Sequence, residues 1–265
     1  MTTNSITYLT RPEGRVAYER TGEGPLIVCI PGMGDLRTSY RHTTPALVAA
    51  GFSVITMDLR GHGESDKTFS EYGDAATSTD IVALLSDLNE DAILVGNSMA
   101  AGAAVLAARA STHVRGNVLV GPFVRNPKGN LGWILNILLQ PLWGRAVWMG
   151  YLPNLYAGTT PADQAAYLAS VRAALRPSDA FRAFRMTTRA DHAPAEAALN
   201  TATPTLVVMG EKDPDFKNAR AEAEWIAAQT GGRALIVPEA GHYPQSQRPE
   251  IVAPAIIEFA RAQRG

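Results

Sequence analysis

Ile93-Leu94-Val95-Gly96-Asn97-Ser98-Met99-Ala100-Ala101-Gly102 is an apolar run that breaks at a serine and resumes as an Ala-rich stretch. The apolar residues Ile93–Gly96 predict a short buried strand, and Ser98–Arg109 predicts a helix, because alanine has the best helix propensity. Gly96 and Ala100 flank the turn and are small enough to let strand and helix approach closely. The Ser98 hydroxyl should then stand exposed at the carboxyl end of the strand, as a nucleophile on a tight elbow must. Taken alone, G-x-S-x-A also describes a serine that merely caps a helix. What the rest of the chain places beside Ser98 decides between these readings.

Working outward, short runs bounded by Gly, Pro or Asp predict further strands at Ile6–Thr10, Val16–Arg20, Leu26–Ile30, Ser53–Asp58, Asn117–Gly121, Thr205–Met209 and Ala234–Val237. The middle ones are apolar on both faces, as strands covered by helices on each side must be. Helical patterns fall between them at Thr79–Leu88, Arg220–Gln229 and Ile251–Arg261. The alternation predicts an α/β fold: a mostly parallel eight-stranded sheet flanked by helices, with ligands at the carboxyl ends of the strands. From Phe123 to about Asn200 the rhythm fails. Pro161-Ala162-Asp163 opens one helix towards Ala174, and Ser178 is expected to cap another through Arg189. The expected organisation is a core of residues 1–122 and 200–265 with a helical cap or lid, 123–199, inserted after the sixth strand.

Two more strand ends carry chemistry. Thr205–Met209 runs into Gly210-Glu211-Lys212-Asp213, and Ala234–Val237 runs into Pro238-Glu239-Ala240-Gly241-His242. Chain order is therefore Ser98, Asp213, His242, each at or just beyond the end of a predicted strand, and in a parallel sheet those ends share one edge. Asp215, two residues after Asp213, could also serve as the acid.

With Ile30-Pro31-Gly32-Met33-Gly34, Met57-Asp58-Leu59-Arg60-Gly61-His62-Gly63-Glu64-Ser65 and Gly241-His242-Tyr243, the chain resembles the α/β-hydrolase superfamily over essentially its whole length. The first segment matches the glycine turn after the third strand, the second the D-x-R-G-x-G-x-S loop after the fourth, and the third the histidine loop. Pro31 stands where many relatives have His, and Ala100 where the elbow pattern ends in Gly. The resemblance implies Ser98 as nucleophile, His242 as base, and Asp213, at G-x-x-D spacing from Gly210, as the acid that orients it. It further implies an oxyanion hole built from the backbone N–H groups of Met33 and Met99. The side chains of Met33 and Met99 should line the pocket, with Trp133, Trp143 and Tyr243 as further candidates for substrate contact. The other large apolar residues of the insert should chiefly pack it onto the core.

The totals narrow the partners. A formal net charge of -1 gives no electrostatic reason to expect nucleic acid or a membrane surface. The single Cys29, inside an apolar run, excludes an internal disulfide and any multi-cysteine metal site. No metal site, no dinucleotide or phosphate loop and hence no cofactor is expected, and His62 is read as organising its turn. No secretory signal is apparent and the longest apolar stretch is broken by Asn136, Gln140 and Pro141, so a cytoplasmic protein is expected. The expected activity is serine esterase or lactonase chemistry on an uncharged, partly hydrophobic small molecule. Thioesterase, carbon–carbon bond hydrolase and cofactor-free perhydrolase chemistry share the same triad. Haloalkane dehalogenases and epoxide hydrolases of this superfamily use Asp at the elbow instead. A ligand sensor on the same fold is the alternative of another class, and turnover separates it.

Overall fold

Leu26–Ile30 and Ala92–Asn97 are buried at every position, so neither face of either strand can be left to water. Both lie inside the sheet of the computed structural model, which describes residues 5–127 and 137–263. In chain order the strands are β1 (Thr7–Arg11), β2 (Gly14–Thr21), β3 (Leu26–Ile30), β4 (Ser53–Met57), β5 (Ala92–Asn97), β6 (Val114–Val120), β7 (Thr205–Gly210) and β8 (Arg233–Val237). They form one sheet in the order β1-β2-β4-β3-β5-β6-β7-β8. β1 pairs antiparallel with β2 and β2 with β4, while every pairing from β4 to β8 is parallel.

Alternation along each strand feeds two cores. Val28, Leu94 and Val207 point to one face, where α2 (Asp74–Leu88) and α3 (Met99–Ala110) pack. Ile27, Val95 and Val208 point to the other, against α1 (Thr44–Ala49) and the carboxyl-terminal helix Pro249–Ala262. Each such fully buried aliphatic side chain is worth about 1.5–3 kcal/mol relative to exposure. The parallel register aligns Ile30 with Gly96, Asn97 with Val120, and Gly210 with Val237. The carboxyl ends of these strands therefore share one edge, and the loops after them open onto the same space.

Between β6 and β7 the described chain is helical: α4 (Gly144–Tyr151), α5 (Gln164–Ala174), α6 (Ser178–Thr187) and α7 (Ala193–Ala197). Trp148, Tyr167, Val171, Phe181 and Phe184 form a third apolar cluster that reaches Met33, Leu36 and Tyr243 of the core loops. By contrast, α7 packs on α3, and a Cβ at Gly102 would lie 3.2 Å from the Ala195 Cβ.

Two expected helix starts shift. Ser178 lies within α6, whose N-cap is Pro177 without a side-chain cap bond, and the helix ends at Thr187 rather than Arg189. α2 starts at Asp74, well before Thr79, following Gly73 at φ 93°. Its early run Thr77-Ser78-Thr79 is marked by local propensity as poor helix, but Thr77 and Ser78 are buried, so packing overrides propensity.

Candidate active site

Ser98 occupies the turn between β5 and α3 at φ 57°, ψ -125°, a backbone region that costs a non-glycine residue about 1–3 kcal/mol. The surroundings hold it there. Its N–H donates to the Val120 carbonyl at 2.8 Å, and its own carbonyl accepts from Ala101 at 3.0 Å and Phe123 at 3.2 Å. A Cβ on Gly96 would lie 2.4 Å from the Ala100 carbonyl oxygen, so only glycine lets the helix start this close to the strand. The Ser98 side chain makes no capping bond to α3, which removes the helix-cap reading of the motif. Asn97, fully buried, donates from its side-chain amide to the carbonyls of Val120 at 3.0 Å and His242 at 3.2 Å. The residue beside the serine thus ties the elbow to the histidine loop.

His242 and Asp213 are both buried, and His242 Nδ1 meets Asp213 Oδ2 at 2.7 Å. Asp215 Oδ2 is 3.7 Å from the same nitrogen, so of the two acids weighed from the sequence Asp213 holds the ring. The other Asp213 oxygen accepts from the Asp215 N–H at 3.1 Å, and Asp215 in turn accepts from the Tyr151 hydroxyl at 2.5 Å. The histidine loop is anchored to the insert: the His242 N–H donates to the Leu155 carbonyl at 2.7 Å, while the Gly241 N–H donates to Gln247 Oε1 at 2.9 Å and the Gln247 amide donates in turn to the Ala157 and Thr159 carbonyls at 3.0 and 2.8 Å. Burial pushes the His242 pKa down, but the charge and hydrogen bond of Asp213, with Asp215 and Asp35 behind, outweigh it and raise it to about 9.

Ser98 and His242 face one cavity of about 800 Å³. Met33, Met99 and Tyr243 line it as expected from the sequence. Trp143 does not. It is 48% exposed, and its indole N–H donates to the Ile137 carbonyl at 3.2 Å; Trp148, buried against Phe184, takes the aromatic position in the wall. Trp133 lies outside the described residues. Among the described residues neither the Met33 nor the Met99 backbone N–H has a hydrogen-bond acceptor, so both are available to an anionic oxygen. The turn that carries Met33 is pressed against the elbow: a Cβ at Gly32 would sit 2.8 Å from the Ser98 Cβ. Gly34, at φ 72°, leaves room for Phe184 and Trp148 of the insert.

Sequence reasoning missed Phe123 and His192, which also line the cavity. Phe123 was within reach of the strand-end rule, since it follows β6 by three residues and packs edge-on to His242 at 5.8 Å. His192 sits after an insert helix, where no strand end or spacing marks it.

The D-x-R-G-x-G-x-S segment builds a buttress rather than a reacting group. Asp58 accepts from the Arg37 N–H at 2.8 Å and guanidinium at 2.6 Å and from the Glu64 N–H at 3.0 Å. Arg60 pairs with buried Asp80, and the Ser65 hydroxyl accepts from Ala17. His62 Nδ1 lies 3.1 Å from the Arg60 carbonyl, and burial lowers the His62 pKa to about 4. Among the described residues, Asp213, Asp215 and His242 form the cluster that could hold a metal, their ligand atoms within 4.8 Å of one another. An ion on Nδ1 would have to replace the hydrogen bond that orients the ring.

Comparison with known proteins places the fold and the family. A 28% identical relative, 2-(acetamidomethylene)succinate hydrolase of Mesorhizobium japonicum, aligns over 91% of this chain and 90% of its own length. An uncharacterized protein of Mycobacterium tuberculosis is 40% identical over 92 residues, but that match spans 34% of this chain and only 27% of the relative. Two solved structures share the fold. An esterase from Thermogutta terrifontis superposes with a TM-score of 0.80 at 24% identity over 98% of each chain. An epoxide hydrolase from an endophytic Streptomyces gives 0.79 at 22% over 100% of this chain and 97% of the other. Residues 27–255 match the family model described as the alpha/beta hydrolase family, and the chain belongs to that family.

Proposed function

We propose that this hydrolase cleaves a carboxylic ester or lactone of an uncharged, partly hydrophobic small molecule through a covalent acyl-enzyme on Ser98. The observation that carries the reading is a strained serine sharing a cavity with a histidine whose far nitrogen is locked to a buried carboxylate. His242 takes the Ser98 hydroxyl proton as the oxygen attacks the carbonyl carbon. The Met33 and Met99 N–H groups donate to the tetrahedral oxygen as it gains charge. Collapse breaks the bond to the leaving alcohol, which receives the proton from His242. A water, deprotonated by the same imidazole, then releases the acid and regenerates the serine. Ser98 also argues against epoxide opening, since a serine would form a stable alkyl ether where a carboxylate forms a cleavable ester.

Met33, Met99, Phe123, Leu138, Trp148 and Leu155 supply an apolar wall, which favours an uncharged acyl chain. Of the helices between β6 and β7, α4 and α6 contribute residues to the cavity, and we read residues 123–199 as its cap. The test is steady-state hydrolysis of p-nitrophenyl esters of graded chain length, simple lactones and charged esters. Preference for uncharged apolar members is expected. Strong turnover of highly charged esters with weak turnover of apolar ones would sink the substrate class, and no turnover of any member would move weight to a ligand sensor. Among the described residues no helix is long and apolar enough to cross a membrane.

A further inference from the structure

A second histidine–carboxylate pair opens onto the same cavity. His192 Nδ1 meets Asp74 Oδ2 at 2.6 Å, and the Asp74 side chain is 1% exposed at the first turn of α2. The carboxylate has a made-to-measure seat: a Cβ at Gly102 would come 2.5 Å from that Oδ2, so glycine on α3 admits it. The loop bearing the histidine is pinned as well. Its N–H donates to Asn126 Oδ1 at 2.9 Å, and Asn126 donates to Asp191 at 2.7 Å. The imidazole packs 6.3 Å from the Phe123 ring, which also flanks His242.

His192 lines the cavity, and among the described residues its Nε2 has no hydrogen-bond partner. Nor is that nitrogen among the side-chain atoms buried without a partner, so it is open to whatever fills the cavity. A tie whose only task was to fasten the loop to α2 would not need an imidazole with one edge free in a mostly apolar wall. With Asp74 accepting at Nδ1, the tautomer protonated there turns a lone pair outward at Nε2. Once a bound ligand covers it, an acceptor of this kind rewards a ligand that brings a donor and penalises one that does not.

We propose that His192, oriented by Asp74, is a specificity-determining residue that accepts a hydrogen bond from a hydroxyl or amide N–H on the substrate, apart from the scissile carbonyl. The proposal deepens the serine-hydrolase reading and rests on it for the substrate class. Its test avoids turnover, so the two fail separately. Ser98→Ala protein is titrated calorimetrically with methyl esters of graded chain length ending in a hydroxyl, or in a methoxy group that can accept but not donate. At the chain length that reaches His192, the hydroxyl ester should bind about tenfold more tightly than its methoxy partner. In Ser98→Ala/His192→Phe that preference should vanish, and in Ser98→Ala/Asp74→Asn it should shrink, because the tautomer is no longer enforced. Near-UV circular dichroism checks folding, with His192→Leu as the replacement if the Phe variant fails. Equal affinities at every chain length, or a preference that survives loss of the imidazole, would overturn the proposal. Turnover of unsubstituted esters by wild type but not by Ser98→Ala tests the nucleophile independently.

Discussion

Replacing Asp213 by Asn should leave the fold in place and remove most of the activity. The variant keeps the volume of a side chain that is 3% exposed, but Asn can offer an N–H to Nδ1 and favour the tautomer whose Nε2 already carries a proton. In a Ser–His–Asp site such a change costs about 10⁴ in turnover. Here Asp215 can rescue only part of that. At 3.7 Å from Nδ1 it contributes charge without a hydrogen bond, and one of its oxygens is engaged by Tyr151. We expect a loss of about 10³–10⁴ for Asp213→Asn and about tenfold or less for Asp215→Asn. The assay is kcat/KM for an apolar p-nitrophenyl ester across the pH range in which histidine titrates. His242 must be neutral to act as base, so with its pKa raised to about 9 the wild-type rate should climb with pH and reach its midpoint well above 6.5. Loss of the Asp213 charge leaves burial less opposed, and the midpoint should fall. The stability sign follows from the same raised pKa. The imidazolium–carboxylate pair stabilises fully below about 6.5 and is lost as pH rises through about 9, a slope Asp213→Asn should flatten. A larger loss in Asp215→Asn than in Asp213→Asn, or an unmoved pH midpoint, would refute the reasoning.

Other substitutions probe the frame around the site. Gly96→Ala places a methyl 2.4 Å from the Ala100 carbonyl, which can retreat only by opening the elbow; a lowered Tm together with at least a hundredfold loss in kcat, measured by melting and steady-state kinetics, is expected. Asn97→Ala deletes two buried hydrogen bonds to carbonyls of β6 and the histidine loop, and urea unfolding should report a loss of about 1–3 kcal/mol. Arg37→Ala leaves Asp58 buried without its guanidinium, and the same titration should register about 3–5 kcal/mol.

The sheet was readable because its central strands carry no polar face. Leu26–Ile30 is found with the bounds its apolar run predicts, and β5 and β7 extend theirs by a residue or two. Ser98 and Asp213 were readable for a related reason, since each follows such a strand; His242 follows the edge strand β8, half exposed but apolar from Ala234 to Val237, and parallel pairing leaves all three ends no other place than a common edge. Pocket walls obey no such rule. Trp143 and Trp148 look alike in sequence, and which one faces the cavity depends on where the turn at Trp143 leaves α4 relative to Phe184. His192 became visible only once α2 was seen to begin at Asp74, because that start puts the carboxylate where the imidazole can reach it.

The central claim is that Ser98 forms the acyl-enzyme. Intact-protein and peptide mass spectrometry after reaction with a fluorophosphonate, alongside ester turnover by wild type and Ser98→Ala, tests it most directly. One adduct is expected, on the peptide carrying Ser98 and abolished in Ser98→Ala, with turnover in that variant reduced on the order of a millionfold. An adduct on another residue, or ester turnover that survives Ser98→Ala, would contradict it.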